Sequence, residues 1–206
     1  MSIHVIACGV LAVDLQAIIE QLALPIELHL LPGGLHRSPQ RLRERLQETI
    51  DTVSAQPGVE RIVIGYGICG RGTVGLYARG VPLVIPRVHD CIALFLGSDT
   101  RYREQTARHP GTYYISAGWV DENGEQGRRY TLGSDTGEEE ADAMQELPDH
   151  FSDADAAHVR HFLDSWKRNY TRAAFIDSGV GRAKQRYADI ARGMAEEYGW
   201  HYERLE

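Results

Sequence analysis

Three cysteines hold equivalent places in the sequence, each just after a segment that is typical of a buried strand. Cys8 follows the first such segment, Cys69 the third and Cys91 the fourth. Because the turns after parallel strands meet at one edge of a sheet, we expect the three thiols to lie close together there. Three thiolates form a soft ligand set that suits zinc, or a four-iron iron-sulfur cluster with one iron left unligated. For each cysteine taken alone, filling of the core is the alternative role.

Two histidines lie beside these turns. His36 follows the second predicted strand, and His89 comes shortly before Cys91. Because imidazole both ligates metals and transfers protons near neutral pH, we predict His36 as a fourth metal ligand and His89 as a catalytic group. Arg87 is predicted to act with His89 by supplying positive charge for an anionic substrate. A surface turn is the alternative for either histidine, and Asp90 either orients His89 or caps the next helix.

The turn around Cys69 is rich in glycine. Glycine allows a backbone to approach an anion closely, and the start of a helix carries partial positive charge. We therefore predict that Gly70, Arg71 and Gly72, together with Gly9 after the first strand, contact a cofactor. The turn matches neither the P-loop nor the dinucleotide-binding pattern, so a nucleotide is not predicted.

The segments that must position these residues alternate between strand and helix patterns. This alternation predicts an α/β fold: a mostly parallel sheet with helices on both faces, in three layers, with the strand-to-helix turns forming a site at one sheet edge. Strands are expected at residues 3–7, 25–31, 61–66, 81–85, 112–117, 173–176 and 201–205, and helices at 10–22, 39–54, 73–79, 89–96, 153–169 and 181–198. Four aromatic residues are candidates for lining a cleft or for the core: Tyr66, Tyr113, Tyr114 and Trp119.

Length and composition narrow the class of protein. The chain has 206 residues, which suits one domain over 1–206, or two lobes over about 1–110 and 111–206. Residues 121–150 are expected to form a long loop, either a lid near the site or an insertion. The formal charge of −7 without a basic tract argues against nucleic acid. No signal peptide or long apolar stretch is evident, so we expect a cytoplasmic protein with reduced thiols and no membrane contact.

Several runs of residues together resemble one protein family. They cover 66–70 (Tyr-Gly-Ile-Cys-Gly), 85–92 (Ile-Pro-Arg-Val-His-Asp-Cys-Ile), 96–98, 110–114 and 118–119, with Cys8-Gly9 and Leu35-His36 before them. Through these runs of residues, the segment 3–170 resembles the prokaryotic family called domain of unknown function 1638. That family has no settled activity. The resemblance implies an association, in some genomes, with corrinoid-dependent methyl transfer, and therefore a corrinoid or methyltransferase partner protein.

Three hypotheses of function follow. The first is an enzyme with a zinc or iron-sulfur site on Cys8, Cys69 and Cys91, whose fourth position is open to a small-molecule substrate or closed by His36 or His89. The second is a metal-free enzyme in which Cys69 is the nucleophile and His89 its proton partner, acting on a small carboxylate or amide. For either hypothesis the helix start is expected to lower the thiol pKa, because thiolate both ligates metals and attacks electrophiles. The third is a non-catalytic accessory protein that holds a metal or a corrinoid. The sequence does not indicate an oligomeric state.

Overall fold

The chain forms two parallel β-sheets flanked by helices. The computed structural model describes residues 2–123, 164–180 and 184–206. Most of the loop predicted at 121–150 and of the helix predicted at 153–169 therefore lies outside the described residues. None of the helices in the described part is both long enough and apolar enough to cross a membrane.

The elements follow one another in βα order. The strands are β1 (Ser2–Cys8), β2 (Ile26–Leu31), β3 (Val59–Gly65), β4 (Leu83–Val84), β5 (Thr112–Ile115), β6 (Arg172–Ile176) and β7 (His201–Leu205). The described α-helices are α1 (Ala12–Leu22), α2 (Pro39–Ser54), α3 (Cys91–Phe95), α4 (Asp99–Arg108), α5 (Ala117–Asn123) and α6 (Lys184–Tyr198). Short 3-10 helices lie at Gly9–Leu11, Gly33–Arg37, Cys69–Arg71 and Asp164–Asn169.

The first sheet has the strand order β2-β1-β3-β4, and all of its pairs are parallel. From β1 the chain adds β2 on one side and β3 on the other, so the direction of winding reverses between β1 and β3. Open α/β sheets bind ligands in the crevice beyond the strand ends at such a reversal. Cys8 ends β1, and Cys69 comes soon after β3. The topology therefore places both thiols at this crevice.

Helix α2 shows how the sequence builds the core of this sheet. Its apolar side chains recur every three or four residues, and this stripe is buried with at most 1% exposure: Leu42, Leu46, Ile50 and Val53. Pro39 occupies the first turn of the helix. Backbone N–H groups there have no acceptor within the helix, so a proline costs no hydrogen bond at this position. The predicted helix is confirmed over its full length.

The second sheet has the order β5-β6-β7 and is also parallel. Its central strand, β6, is buried at every position. Helix α5 joins this sheet to the first one by packing against the 3-10 turn Gly9–Leu11. The approach is close, because a Cβ on Gly118 would lie 1.9 Å from the carbonyl oxygen of Val10. Glycine is therefore required at this joint.

The α/β class is confirmed, with the strands divided between two sheets. The helix predicted at 73–79 is wrong, because these residues form turns around Gly75 and lead to Gly80, both at positive φ. The strand predicted at 81–85 is reduced to the two residues of β4, an edge strand whose Val84 is 47% exposed. Helices α4 and α5 were not predicted. The edge strand expected at the C-terminus is confirmed as β7.

We predict opposite effects for two glycine-to-alanine substitutions in helices. Gly118→Ala should lower the free energy of unfolding by about 1–3 kcal/mol or more, because its methyl group overlaps the Val10 backbone. Gly193→Ala in α6 is the matched control: its Cβ meets nothing within 4 Å, and it should raise stability by about 0.5–1 kcal/mol. Urea denaturation of the two variants checks this. Equal stabilities would contradict the close joint between α5 and the Gly9–Leu11 turn.

Candidate functional site: three thiols around a buried tyrosine

The three thiols lie around the hydroxyl of Tyr66, just beyond the end of β3. Burial raises the pKa of Tyr66, and negative charge on each of the three cysteines raises it further. The cysteines also affect one another, since burial raises the pKa of Cys91 and charge on Cys8 and Cys69 adds to this. The structure thus brings together three residues that are far apart in the chain. Cys8 and Cys69 are buried, and Cys91 is half-buried.

Two backbone segments hold Cys69 against Cys91. The N–H groups of Ile68 and Cys69 donate to the carbonyls of Val88 and His89, each at 3.0 Å. Gly67 permits this approach, because a Cβ there would lie 2.7 Å from the backbone of Asp90. The glycine-rich turn therefore serves to bring one thiol loop onto the other.

The backbone around Cys69 is strained. Cys69, Gly70 and Arg71 have φ angles of 43°, 61° and 75°. This left-handed conformation costs a residue with a Cβ roughly 1–2 kcal/mol. Cys69 and Arg71 carry a Cβ and therefore bear this cost. Backbone strain of this kind persists where the surrounding structure fixes a functional geometry.

Asp90 fills both of the roles considered for it. One carboxylate oxygen, Oδ1, accepts from the N–H groups of Ile92 and Ala93 at 3.0 and 3.4 Å, which caps α3. The other, Oδ2, lies 2.9 Å from His89 Nδ1 and accepts from the Tyr102 hydroxyl at 3.0 Å. The cap fixes the first turn of α3, where Cys91 lies.

The thiol pKa values are raised, which corrects the expectation that a helix start lowers them. Burial raises the pKa of Cys8 to about 12, although a backbone hydrogen bond from Val10 opposes this. Burial also raises the pKa of Cys69 and of Cys91. Neighbouring carboxylates add to the effect, Glu122 at Cys8 and Asp90 at the other two thiols. Without a cation, all three cysteines are therefore protonated at neutral pH.

Tyr66 is the most informative residue beside the thiols. It is 1% exposed, and its hydroxyl lies beside Cys8 with no hydrogen-bond partner of normal geometry. Leaving a buried hydroxyl unpaired costs about 1–3 kcal/mol. A site that only fills core volume would favour phenylalanine here, so the hydroxyl points to a role in contacting a ligand among the thiols.

A cleft of about 300 Å³ opens beside the thiols, between the carboxyl ends of β1, β5 and β6. Cys8 and Cys91 lie in its wall, as does His36. His36 Nδ1 is 2.7 Å from the carbonyl oxygen of Gly33. This hydrogen bond assigns the proton to Nδ1 and leaves Nε2 with its lone pair, the arrangement common in metal-binding histidines. Three aromatic residues predicted from the sequence lie in the wall: Tyr113, Tyr114 and Trp119. Phe95 and Tyr170 lie there as well.

The other predicted site residues lie outside this wall. His89 is 65% exposed and stacks on Tyr102. Arg87 and Arg71 are exposed. Neither His89 nor Arg87 lines the cleft, so the structure does not bring the two predicted catalytic residues to it.

The predicted cofactor-binding glycines have packing partners. A Cβ on Gly72 would lie 2.5 Å from the Leu42 side chain, and one on Gly9 would lie 1.9 Å from the carboxylate of Glu122. Gly70 adopts positive φ. The positive φ accounts for Gly70, and contact of these glycines with a cofactor remains a prediction.

Sequence reasoning missed Glu122. Its Oε2 accepts from the N–H of Gly33 at 3.2 Å, and its charge acts on Cys8. It thereby connects α5 to the turn that carries His36. Glu122 stands at the start of a segment that lacks periodicity, so only the tertiary contact could identify it.

The comparisons with known proteins establish the family. The family model described as a protein of unknown function (DUF1638) matches residues 30–206, and the chain belongs to this family. The matched range differs from the expected 3–170 at both ends, since it includes α6 and β7 and begins after Cys8. No curated protein and no solved structure matches the chain at a significant level. The family membership carries no activity.

We predict that the thiols of the metal-free, reduced protein react slowly. At pH 8 alkylation of Cys8 should be at least about 100-fold slower than that of free cysteine, and alkylation of Cys69 and Cys91 should also be slower, because thiolate is the reactive species and the raised pKa values suppress it. Unfolding in urea should abolish the protection. Iodoacetamide labelling followed by peptide mass spectrometry measures each rate.

The variant Glu122→Gln tests the electrostatic part of this protection. Removing the carboxylate charge should accelerate labelling of Cys8 and leave Cys91 unchanged, since Glu122 acts on the pKa of Cys8 and Asp90 on that of Cys91. A native thiol that reacts as fast as free cysteine would instead favour the metal-free nucleophile.

Proposed function

We propose that the chain is an enzyme that holds a metal centre on Cys8, Cys69 and Cys91 and acts on a small molecule in the adjoining cleft. The observation that carries the proposal is the grouping of three thiols with the buried Tyr66 hydroxyl, which lies beside Cys8 and makes no hydrogen bond of normal geometry. Metal binding releases thiol protons and replaces them with positive charge. Burial is the main cause of the raised pKa values, and a bound cation stabilises the buried thiolates against this cost and against the nearby negative charge.

The spacing of the sulfurs favours an iron-sulfur cluster over a single zinc ion. A zinc ion bound at about 2.3 Å by three sulfurs in tetrahedral geometry holds them roughly 3.8 Å apart. The three cysteine sulfurs do not all lie within 4.8 Å of one another. In a four-iron cluster each thiolate binds a different iron, which calls for a wider arrangement. We therefore propose a four-iron cluster and keep zinc as the alternative.

His36 and Tyr66 are the polar groups proposed to complete the centre. Three thiolates leave one iron of such a cluster without a cysteine, and that iron supplies Lewis-acid or redox chemistry when the cluster is bound. The exposed His36 ring, with Nε2 unprotonated, is the candidate fourth ligand from the chain. The Tyr66 hydroxyl is proposed to donate a hydrogen bond to a sulfur atom of the centre.

The cleft limits the substrate to a small molecule with an apolar part. Its volume of about 300 Å³ and its aromatic wall are typical of sites for such ligands. Thr112 and Ser116 contribute hydroxyl groups to the wall. Tyr114 adds a buried hydroxyl that lies beside the Thr106 and Thr112 side chains. We propose that these groups orient a polar end of the substrate.

The two alternative hypotheses receive less support. The metal-free enzyme needs a reactive thiolate beside His89, whereas burial raises the pKa of Cys69 and His89 hydrogen-bonds to Asp90 outside the cleft wall. An accessory protein would not need a substrate-sized cleft next to its metal. The corrinoid or methyltransferase partner remains a prediction from the family resemblance.

Anaerobic purification followed by metal and sulfide analysis tests the proposed centre. We expect about four irons and four sulfides per chain, with a broad visible absorption band from sulfur-to-iron charge transfer. Cys69→Ala should lose most of the iron, because it removes one of three thiolates. Ile68→Ala is the matched control, since Ile68 is the exposed neighbour in the same turn and carries no ligand atom.

Tyr66→Phe separates ligand contact from core packing. The variant should fold with at least the stability of the parent in the metal-free state, because it removes an unpaired buried hydroxyl. In the loaded protein it should shift the reduction potential or weaken cluster retention, because hydrogen bonds to cluster sulfur tune both. About one zinc per chain would select the zinc alternative. Anaerobically purified protein that contains neither iron nor zinc would overturn the proposal.

A further inference from the structure

We propose a second metal site, independent of the thiols, in which His4, Glu27 and His29 bind a divalent first-row transition ion such as zinc. One nitrogen from each ring and one carboxylate oxygen lie within 4.8 Å of one another. These residues all precede the family-matched range of 30–206. Along β1, His4 stands four residues from Cys8, a distance of about 13 Å at the usual rise of a strand.

The strand register creates this juxtaposition. In the parallel pair of β1 and β2, His4 is opposite Glu27, and Ile6 is opposite His29. Side chains two residues apart on a strand share one face, so Glu27 and His29 both lie on the face that carries His4. Two imidazoles and one carboxylate, all of which bind metals in proteins, are thus placed on adjacent strands by regular β structure.

The hydrogen bonds of the His4 ring are compatible with ligation by Nδ1. His4 is 1% exposed, and its Nε2 lies 3.0 Å from the Ser2 hydroxyl. A proton on Nε2 donated to Ser2 leaves Nδ1 with its lone pair. Nδ1 is 2.9 Å from His29 Nε2 and 3.8 Å from Glu27 Oε2. A histidine whose other nitrogen is held by an oxygen acceptor is the usual form of a metal ligand.

The spacing of the two rings fits a shared ion. Without metal, the facing nitrogens share a proton as a hydrogen bond, and the ring centroids are 5.2 Å apart with planes inclined by 12°. Two imidazoles bound at about 2.0–2.1 Å to one tetrahedral ion also have centroids roughly 5.2 Å apart. The two nitrogens of such a complex are about 3.3 Å apart, so the ion replaces the shared proton if the rings turn and the facing nitrogens separate by about 0.4 Å.

The remaining ligands and the type of ion follow from the chemistry of the set. Glu27 is 59% exposed and lies on an edge strand, so its carboxylate is free to turn toward the ion and water completes the coordination. Two imidazoles with one carboxylate suit zinc and its neighbours in the first transition row better than calcium or magnesium, which prefer all-oxygen sites. This ligand set contains no sulfur, which distinguishes it from the thiol site.

Cobalt and zinc titrations of the full chain test this site. In the metal-free, reduced protein, cobalt bound by His4, Glu27 and His29 should give weak visible bands without the intense near-ultraviolet sulfur charge-transfer band of a thiolate site. Cys69→Ser should leave this binding intact. His29→Gln should weaken it at least about tenfold, and Ser2→Ala should weaken it by a similar factor through loss of the ring orientation.

His109→Ala is the matched control, because His109 is exposed and lies apart from all three ligands. Nitrogen-15 spectra of the histidine rings in the unmodified chain give a readout that needs no variant: zinc should shift His4 Nδ1 and His29 Nε2 while His4 Nε2 stays protonated. In the Cys69→Ser background, where the thiol site is disabled, zinc binding that His29→Gln leaves unchanged would overturn the proposal, as would ring spectra of the unmodified chain that zinc leaves unchanged. Neither result would bear on the thiol centre, whose test depends on Cys69.

Discussion

The candidate site depends on the burial of acidic groups in one small space. Folding removes the thiols of Cys8, Cys69 and Cys91 from water beside Tyr66, with the carboxylates of Asp90 and Glu122 close by. Each further negative charge in such a place is costly, so the metal-free chain holds its thiols in the protonated form. The same surroundings favour a cation that displaces those protons. Burial therefore makes the cysteines poor nucleophiles in the metal-free chain, and the proposed metal centre would offset the cost of ionising them.

The two sheets hold this site between them. The joint at Gly118 and Val10 brings α5 against the end of β1, and the Glu122 carboxylate extends from α5 to the backbone of Gly33. That contact lies in the turn of His36, so one helix of the second sheet helps to place a residue of the cleft wall. The cleft is consequently formed by the packing between the two sheets. We expect a substitution at Gly118 to alter the positions of both Cys8 and His36.

The sequence predicts those features that local patterns determine. The apolar alternation of β1 and the periodic stripe of α2 identify those elements, and the positions of Cys8, Cys69 and Cys91 after strands follow from them. The exposure of β4, the turns at 73–79 and the role of Glu122 depend on distant partners, which no local pattern encodes. The sign of the thiol pKa shift was wrong for an energetic reason. A helix start is worth about 0.3–1 kcal/mol, whereas burial that raises the pKa of Cys8 to about 12 acts at about 1.4 kcal/mol per pKa unit.

Strand β1 carries one residue of each proposed centre. His4, Ile6 and Cys8 alternate along the strand and so share one face of the sheet. Ile6, with no exposed surface, stands between the other two and separates them with apolar volume. The two ligand sets also differ in chemistry, since thiolates select soft ions and cluster iron, whereas imidazole with carboxylate selects borderline ions. Distance, the apolar barrier and ligand type are therefore the features that would keep the two proposed centres separate on a single strand.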